Sequence, residues 1–217
     1  MQNLPNYGVL IDEIEPPTPN DDLLRAIKYA CRYWVHHFKQ SDPTPGDIED
    51  SFAFFETHFL YWLEALSLMR ILPEIIGLIN DLKALALTAN NLQFSGFLSD
   101  ATRFILANMS ISSTAPLQLY VHALMFAPAA SIVRGILNET IPKWISKLPL
   151  VSKKWGSLVQ TLQHDEPVEA IAFSPDGQLI ASSERYMTIR VWDTATGSLQ
   201  KIIWKWKGDP LSDTREK

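Results

Sequence analysis

The chain has 217 residues, 47% of them hydrophobic and 20% charged, with a net charge of −5. That is room for one large domain, or one domain and a fragment, with ordinary soluble globular composition. The acidic balance argues against a protein that neutralises a nucleic-acid backbone, and the single cysteine, Cys31, excludes an internal disulfide.

The opening stretch, MQNLPNYGVLIDEIEPP, carries early acids and no apolar core run, so it does not read as a secretory signal. Residues 1–20 read as an extended linker ending in proline-rich EPPTPN, with Asn20 as a helix cap. Leu24, Ile27, Cys31, Trp34 and Phe38 then recur in steps of three and four, the spacing of one helix face. SDPTPGD at 41–47 reads as a loop. Beyond it Phe52, Phe55, Phe59, Trp62, Leu66 and Met69 keep the helical step. Phe54, Leu60, Tyr61 and Leu63 add apolar residues on other faces, so that helix is expected to be buried on more than one side.

Pro73 fits the first turn of the next helix, whose stripe is Ile75, Leu78, Leu82 and Leu85. A further helix is expected from about 93 to 108, with Phe97, Ala101, Phe104 and Ile105 facing inward. Pro116, Pro128, Pro142 and Pro149 divide the following stretch into short helices and turns. The apolar run 115–133 contains Gln118, His122 and two prolines, and is expected to be a buried segment of a water-soluble protein rather than a membrane span.

Near residue 160 the period changes. VEAIAF (168–173), QLIASS (178–183), MTIRVW (187–192) and LQKIIW (199–204) read as short antiparallel strands. Pro175, Asp176 and Gly177 suit a type I turn after the first, and DTATG at 193–197 supplies another. The expected fold is therefore mainly α, an irregular helical array at 21–158, followed at 159–204 by one four-stranded antiparallel blade of the β-propeller kind. The polar tail 205–217 is expected to be disordered.

The second part resembles the WD-repeat family through His164, the run AFSPDGQLIAS, TIRVW and the closing Trp192–Asp193. The resemblance implies a structural network in which His164, Ser182 and Trp192 fill three places, with Asp193 completing the repeat signature. The turn aspartate of that family is replaced by Tyr186, and the glycine before the histidine by Gln163, so the implied network is incomplete. The helical part resembles the region between nucleotide-binding domain and WD repeats in fungal NACHT–WD-repeat proteins of the STAND type. The matching stretches are YACRYWVHHF, FLYWLEALSLM, ATRFILAN, APLQLYVHALMFAP and IPKWISKLP, in that order. These signal-transducing NTPases include vegetative incompatibility proteins. The resemblance implies that this chain starts after the NTPase module and stops after the first blade.

No G-x-x-x-x-G-K-[ST] stretch occurs, so nucleotide hydrolysis does not carry over. His36 and His37 are adjacent and diverge on a helix, and with His58 and His122 they are expected to be ordinary surface or core histidines. Cys31 reads as a buried, inert thiol. Asp12, Glu13 and Glu15 read as a solvated acidic entry. Trp144 and Trp155 are expected to pin short helices to the core. Trp204 and Trp206 are placed at an interaction edge, where an unpaired strand and an apolar patch invite association. The expectation is a non-enzymatic, cytoplasmic segment without catalytic residues, cofactor or metal. Its partners are proteins, either a full-length NACHT–WD-repeat relative or a second copy, and neither nucleic acid nor membrane. It would couple an NTPase switch to a WD-repeat sensor. The alternative is an independent helical adaptor that binds other proteins through the blade edge.

Overall fold

Thr44 starts the longest helix. Its hydroxyl accepts a hydrogen bond from the amide of Asp47, whose carboxylate accepts one from the Thr44 amide, and Pro45 occupies the first turn. In the computed structural model, which describes residues 7–13 and 22–204 (side chains of 22–26, 186 and 204 excepted), this reciprocal cap opens α2, Pro45–Leu68. The expected loop thus ends earlier than 47, because the cap turns Pro45 and Gly46 into helix. The bonds to Thr44 hold the Asp47 carboxyl below its ordinary range. That contribution is present above the unfolded carboxyl pKa and fades as pH falls through the lower folded value. Thr44→Ala removes the capping hydroxyl and is expected to destabilise the helical unit by about 1 kcal/mol, read as a lower urea midpoint.

The chain divides into two compact units, Met1–Val159 and Gln160–Lys217. The first is helical. α1 (Asp22–Gln40), α2, α3 (Ile75–Thr88) and α4 (Leu92–Thr114) are its long elements, followed by the short helices α5 (His122–Phe126) and α6 (Ile132–Leu137). Asn91 caps α4 by accepting from the Phe94 amide. α4 runs past the expected end to Thr114, since no proline intervenes before Pro116. The described residues contain no helix long and apolar enough to cross a membrane, and the 115–133 run is broken into a 3-10 turn, α5 and the start of α6.

The core is aromatic. Phe55, with no exposed surface, has ring centroids of Trp34, Phe54, Phe59, Trp62, Phe94 and Phe97 within 6.0 Å. Phe97, Ala101, Phe104 and Ile105 bring α4 into the same core. Arg32 pairs with Glu74, and Lys39 with Asp81, tying α1 to the edge of α3. The α1 face begins to pack at Cys31, so Ile27, one turn earlier, is exposed. On α2, Leu60 and Leu63 are buried as expected of a helix covered on several sides, whereas Phe54 and Tyr61 are open to solvent.

The entry segment differs from an extended linker where it is described. Ile11–Glu13 forms a 3-10 turn, and Val9 and Ile11 are buried. Asp12 pairs with Arg70, and Glu13 accepts from the Leu10 amide, so these two acids have structural partners. Glu15, Asn20 and the tail 205–217 lie outside the described residues.

The second unit is a four-stranded antiparallel sheet in the order β1 (Val168–Phe173), β2 (Leu179–Glu184), β3 (Thr188–Asp193), β4 (Leu199–Trp204). Three consecutive hairpins, each strand six residues long, have the form of one WD-repeat blade. In the first turn, the Ser174 carbonyl accepts from the Gly177 amide at 2.9 Å, with Gly177 at φ 70°. Asp176 accepts from the Ser174 hydroxyl and the Gln178 amide, and these bonds lower its carboxyl pKa. In the third turn Gly197 sits at φ 67°, and a Cβ there would lie 2.9 Å from the Gln160 side-chain oxygen. Gly197→Ala introduces left-handed strain, while the Gln160 side-chain end can move aside. It is expected to cost the sheet roughly 1–2 kcal/mol or more, measured as faster protease cleavage within 160–204.

Candidate interaction site on the sheet

Alternation along the strands sorts the sheet into two faces. Phe173 pairs with Ile180, Ile180 with Trp192, and Trp192 with Leu199. Two residues along, Ile171, Ser182, Arg190 and Ile202 are opposite one another, and Glu184 pairs with both Val168 and Thr188. One face therefore carries both a polar cluster and a row of large apolar side chains.

The polar cluster is buried. The Trp192 indole N–H donates to the Ser182 hydroxyl at 2.8 Å, and the His164 ring stands 5.0 Å from the indole, edge to face. His164 Nδ1 lies 2.7 Å from Glu184 Oε1, and Arg190 reaches the same oxygen at 2.8 Å. Arg190 also pairs with Asp165 at 2.5 Å. Glu184 is only 2% exposed, so its charge is held by His164 and Arg190 rather than by water.

The structure thus brings together His164, Ser182 and Trp192 and adds Glu184 and Arg190, which the sequence reading missed. The family pattern drew attention to the turn at Tyr186. The acid instead comes from β2, two residues beyond Ser182 on the same face. The period of two was the available signal: Ser182 and Glu184 share a side, as do Arg190 and Trp192. Asp193 is placed apart from the cluster. It follows Trp192 and therefore points to the other side, where its carboxylate accepts from the amide and hydroxyl of Thr196 and shapes the turn. Pro175, Asp176 and Gly177 lie in the first turn.

The apolar row lies on β1. Val168, Ile171 and Phe173 are 42%, 66% and 62% exposed, and β1 ends the sheet with no strand on its outer side among the described residues. On β4, Leu199, Ile202 and Ile203 are also exposed. The Trp204 backbone pairs with Ile189, while the Trp204 side chain and all of Trp206 lie outside the described residues. Exposed apolar residues therefore stand on both edge strands, and Ile171 and Phe173 of β1 are the most open of them.

The other candidates stand apart. His37 bonds Tyr29, His58 bonds Thr57, and His122 packs on Phe126. Among the described residues no group of three or more His, Cys, Asp or Glu could hold a metal ion. Cys31 is half-buried, and burial raises its thiol pKa. Trp155 packs on the helical core and donates its indole N–H to Asp100 at 2.6 Å. Trp144, expected to pin a helix, is instead exposed, with the Tyr7 ring 6.2 Å away.

A helical unit followed by this sheet, with its histidine, serine and tryptophan on one face, defines a WD-repeat protein whose first described blade follows a helical region. The family model for the WD domain, G-beta repeat, matches residues 156–193. The chain is 38% identical over 200 residues, 88% of its length, to vegetative incompatibility protein HET-E-1 of Podospora anserina, and spans 15% of that protein. It is 33% identical over 84 residues, 38% of its length, to periodic tryptophan protein 2 of Arabidopsis thaliana, and spans 9% of it. No solved structure matches. The chain is accordingly similar over most of its length to the fungal protein HET-E-1, and it carries a WD repeat.

Proposed function

We propose that this segment works without catalysis, as a protein-interaction element that couples an NTPase switch to a WD-repeat sensor. The helical unit spaces and transmits, and the blade makes the contact. The observation that carries this reading is the edge strand β1, where Val168, Ile171 and Phe173 stand exposed beside an unpaired backbone edge. Apolar edges of this kind bind by adding a strand and burying the row. The similarity to HET-E-1 across most of the chain supports the placement between switch and sensor. The proposed partner is a longer HET-E-1-like chain, and the proposed location the cytoplasm.

The test is capture of full-length HET-E-1 by this chain, compared with the double variant I171D/F173D. Capture by the unsubstituted chain, reduced about tenfold or more in the variant while the helical unit melts unchanged, is the expected outcome. Capture that ignores the substitution, or no capture by either chain, removes the reading. The independent-adaptor reading uses the same edge. It predicts instead a blade that pairs with other proteins, so that adding HET-E-1 leaves the oligomeric state of the chain unchanged in sedimentation.

A further inference from the structure

A cavity of about 540 Å³ opens on the helical unit, lined by Arg103, Ser131, Lys154, Trp155, Gly156 and Ser157. It lies away from every residue used above except Trp155. Its walls are tied together. Asp100 accepts from the Trp155 indole at 2.6 Å, the Ser131 hydroxyl at 2.6 Å and the Val133 amide at 2.9 Å. The Ala129 and Ala130 amides donate to the carbonyls of Ser152 and Lys153, both at 2.9 Å, and Arg103 donates to the Gly156 carbonyl. These bonds fix the 152–156 strand of chain against α4 and the turn before α6.

The cavity is locally cationic. Its two lining cations, Arg103 and Lys154, make no ion pair among the described residues, although the chain carries a net charge of −5. The nearby carboxylate, Asp100, is turned onto three donors. Arg103 spends one nitrogen on Gly156 and keeps its other N–H groups for an acceptor. Guanidinium forks match phosphate oxygens, and an ammonium adds a point charge. The half-buried Trp155 supplies an apolar wall to this shallow, open depression.

We propose that this cavity binds a phosphomonoester, with the phosphate on Arg103 and Lys154 and the apolar body of the ligand against Trp155. The group is close to a dianion at neutral pH, which suits two cations. It could be presented by a small molecule or by a phosphorylated side chain.

The experiment titrates phenyl phosphate into the full chain at fixed ionic strength and follows the Trp155 indole N–H resonance, identified by its loss in W155F. Inorganic phosphate and a phosphoserine peptide are parallel arms. Saturable shifts are expected, with phenyl phosphate about tenfold tighter than inorganic phosphate because of the ring contact. K154Q is expected to weaken binding about fivefold, the effect of one exposed charge contact, and R103Q more. Tighter binding of phenyl phosphate than of the peptide supports a small-molecule source, and the reverse order a phosphorylated protein segment. R103Q also removes the Gly156 bond, so K154Q, which breaks no contact within the protein, is decisive. No saturable shift up to about 10 mM, or equal affinity in K154Q, overturns the proposal.

Discussion

Glu184→Ala is expected to unfold the sheet while the helical unit stays intact. The substitution leaves Arg190 buried with only the exposed Asp165 as counter-ion, and leaves His164 without its acceptor. Breaking a buried pair from one side costs about 3–5 kcal/mol. A unit this small holds only a few kcal/mol at the usual ~0.05–0.15 kcal/mol per residue. Limited proteolysis should therefore cut rapidly within 160–204, while thermal unfolding of the helices keeps its midpoint. A sheet as protease-resistant as the original would show that the carboxylate does not hold the blade. The paired variant E184M/R190M separates charge from packing. Removing both charges avoids the uncompensated guanidinium, so it should recover most of the resistance.

Phe55→Ala is expected to be the most damaging single change in the helical unit. Phe55 is fully buried and touches aromatic rings from α1, α2 and α4. Removing the ring loses transfer free energy and leaves a cavity that rigid aromatic neighbours cannot close, for about 3–5 kcal/mol. With urea slopes of about 1–3 kcal/mol per molar, the midpoint should fall by on the order of 2 M. Phe54→Ala is the control. It is 42% exposed, so its loss should move the midpoint less, although the two residues are neighbours in sequence. Equal effects would mean that burial does not set the energy at this helix.

The helices were legible because their signal is local. Steps of three and four place Phe55, Phe59, Trp62 and Leu66 on one side of α2, and all four are buried. The strands were legible for the same reason, since a change of period and two glycine turns set their number and order. What could not be read was which apolar face found a partner. Ile27, Phe54 and Trp144 look as apolar as their neighbours, yet each keeps more than a third of its surface open to solvent.

The network shows the same boundary at a single site. The resemblance to a WD repeat, carried by the sequence alone, placed His164, Ser182 and Trp192 within one repeat. Only the pairing of β2 with β3 decided that Glu184 and Arg190 join them, because opposite registers bring together side chains distant along the chain. The cavity at Arg103 and Lys154 is likewise tertiary. Its two cations are separated by two helices and several turns, and the bonds of Asp100, Gly156 and the Ala129 and Ala130 amides hold them around one space. Local periodicity thus set the elements of this protein, and long-range packing set which charges and apolar surfaces are left to act.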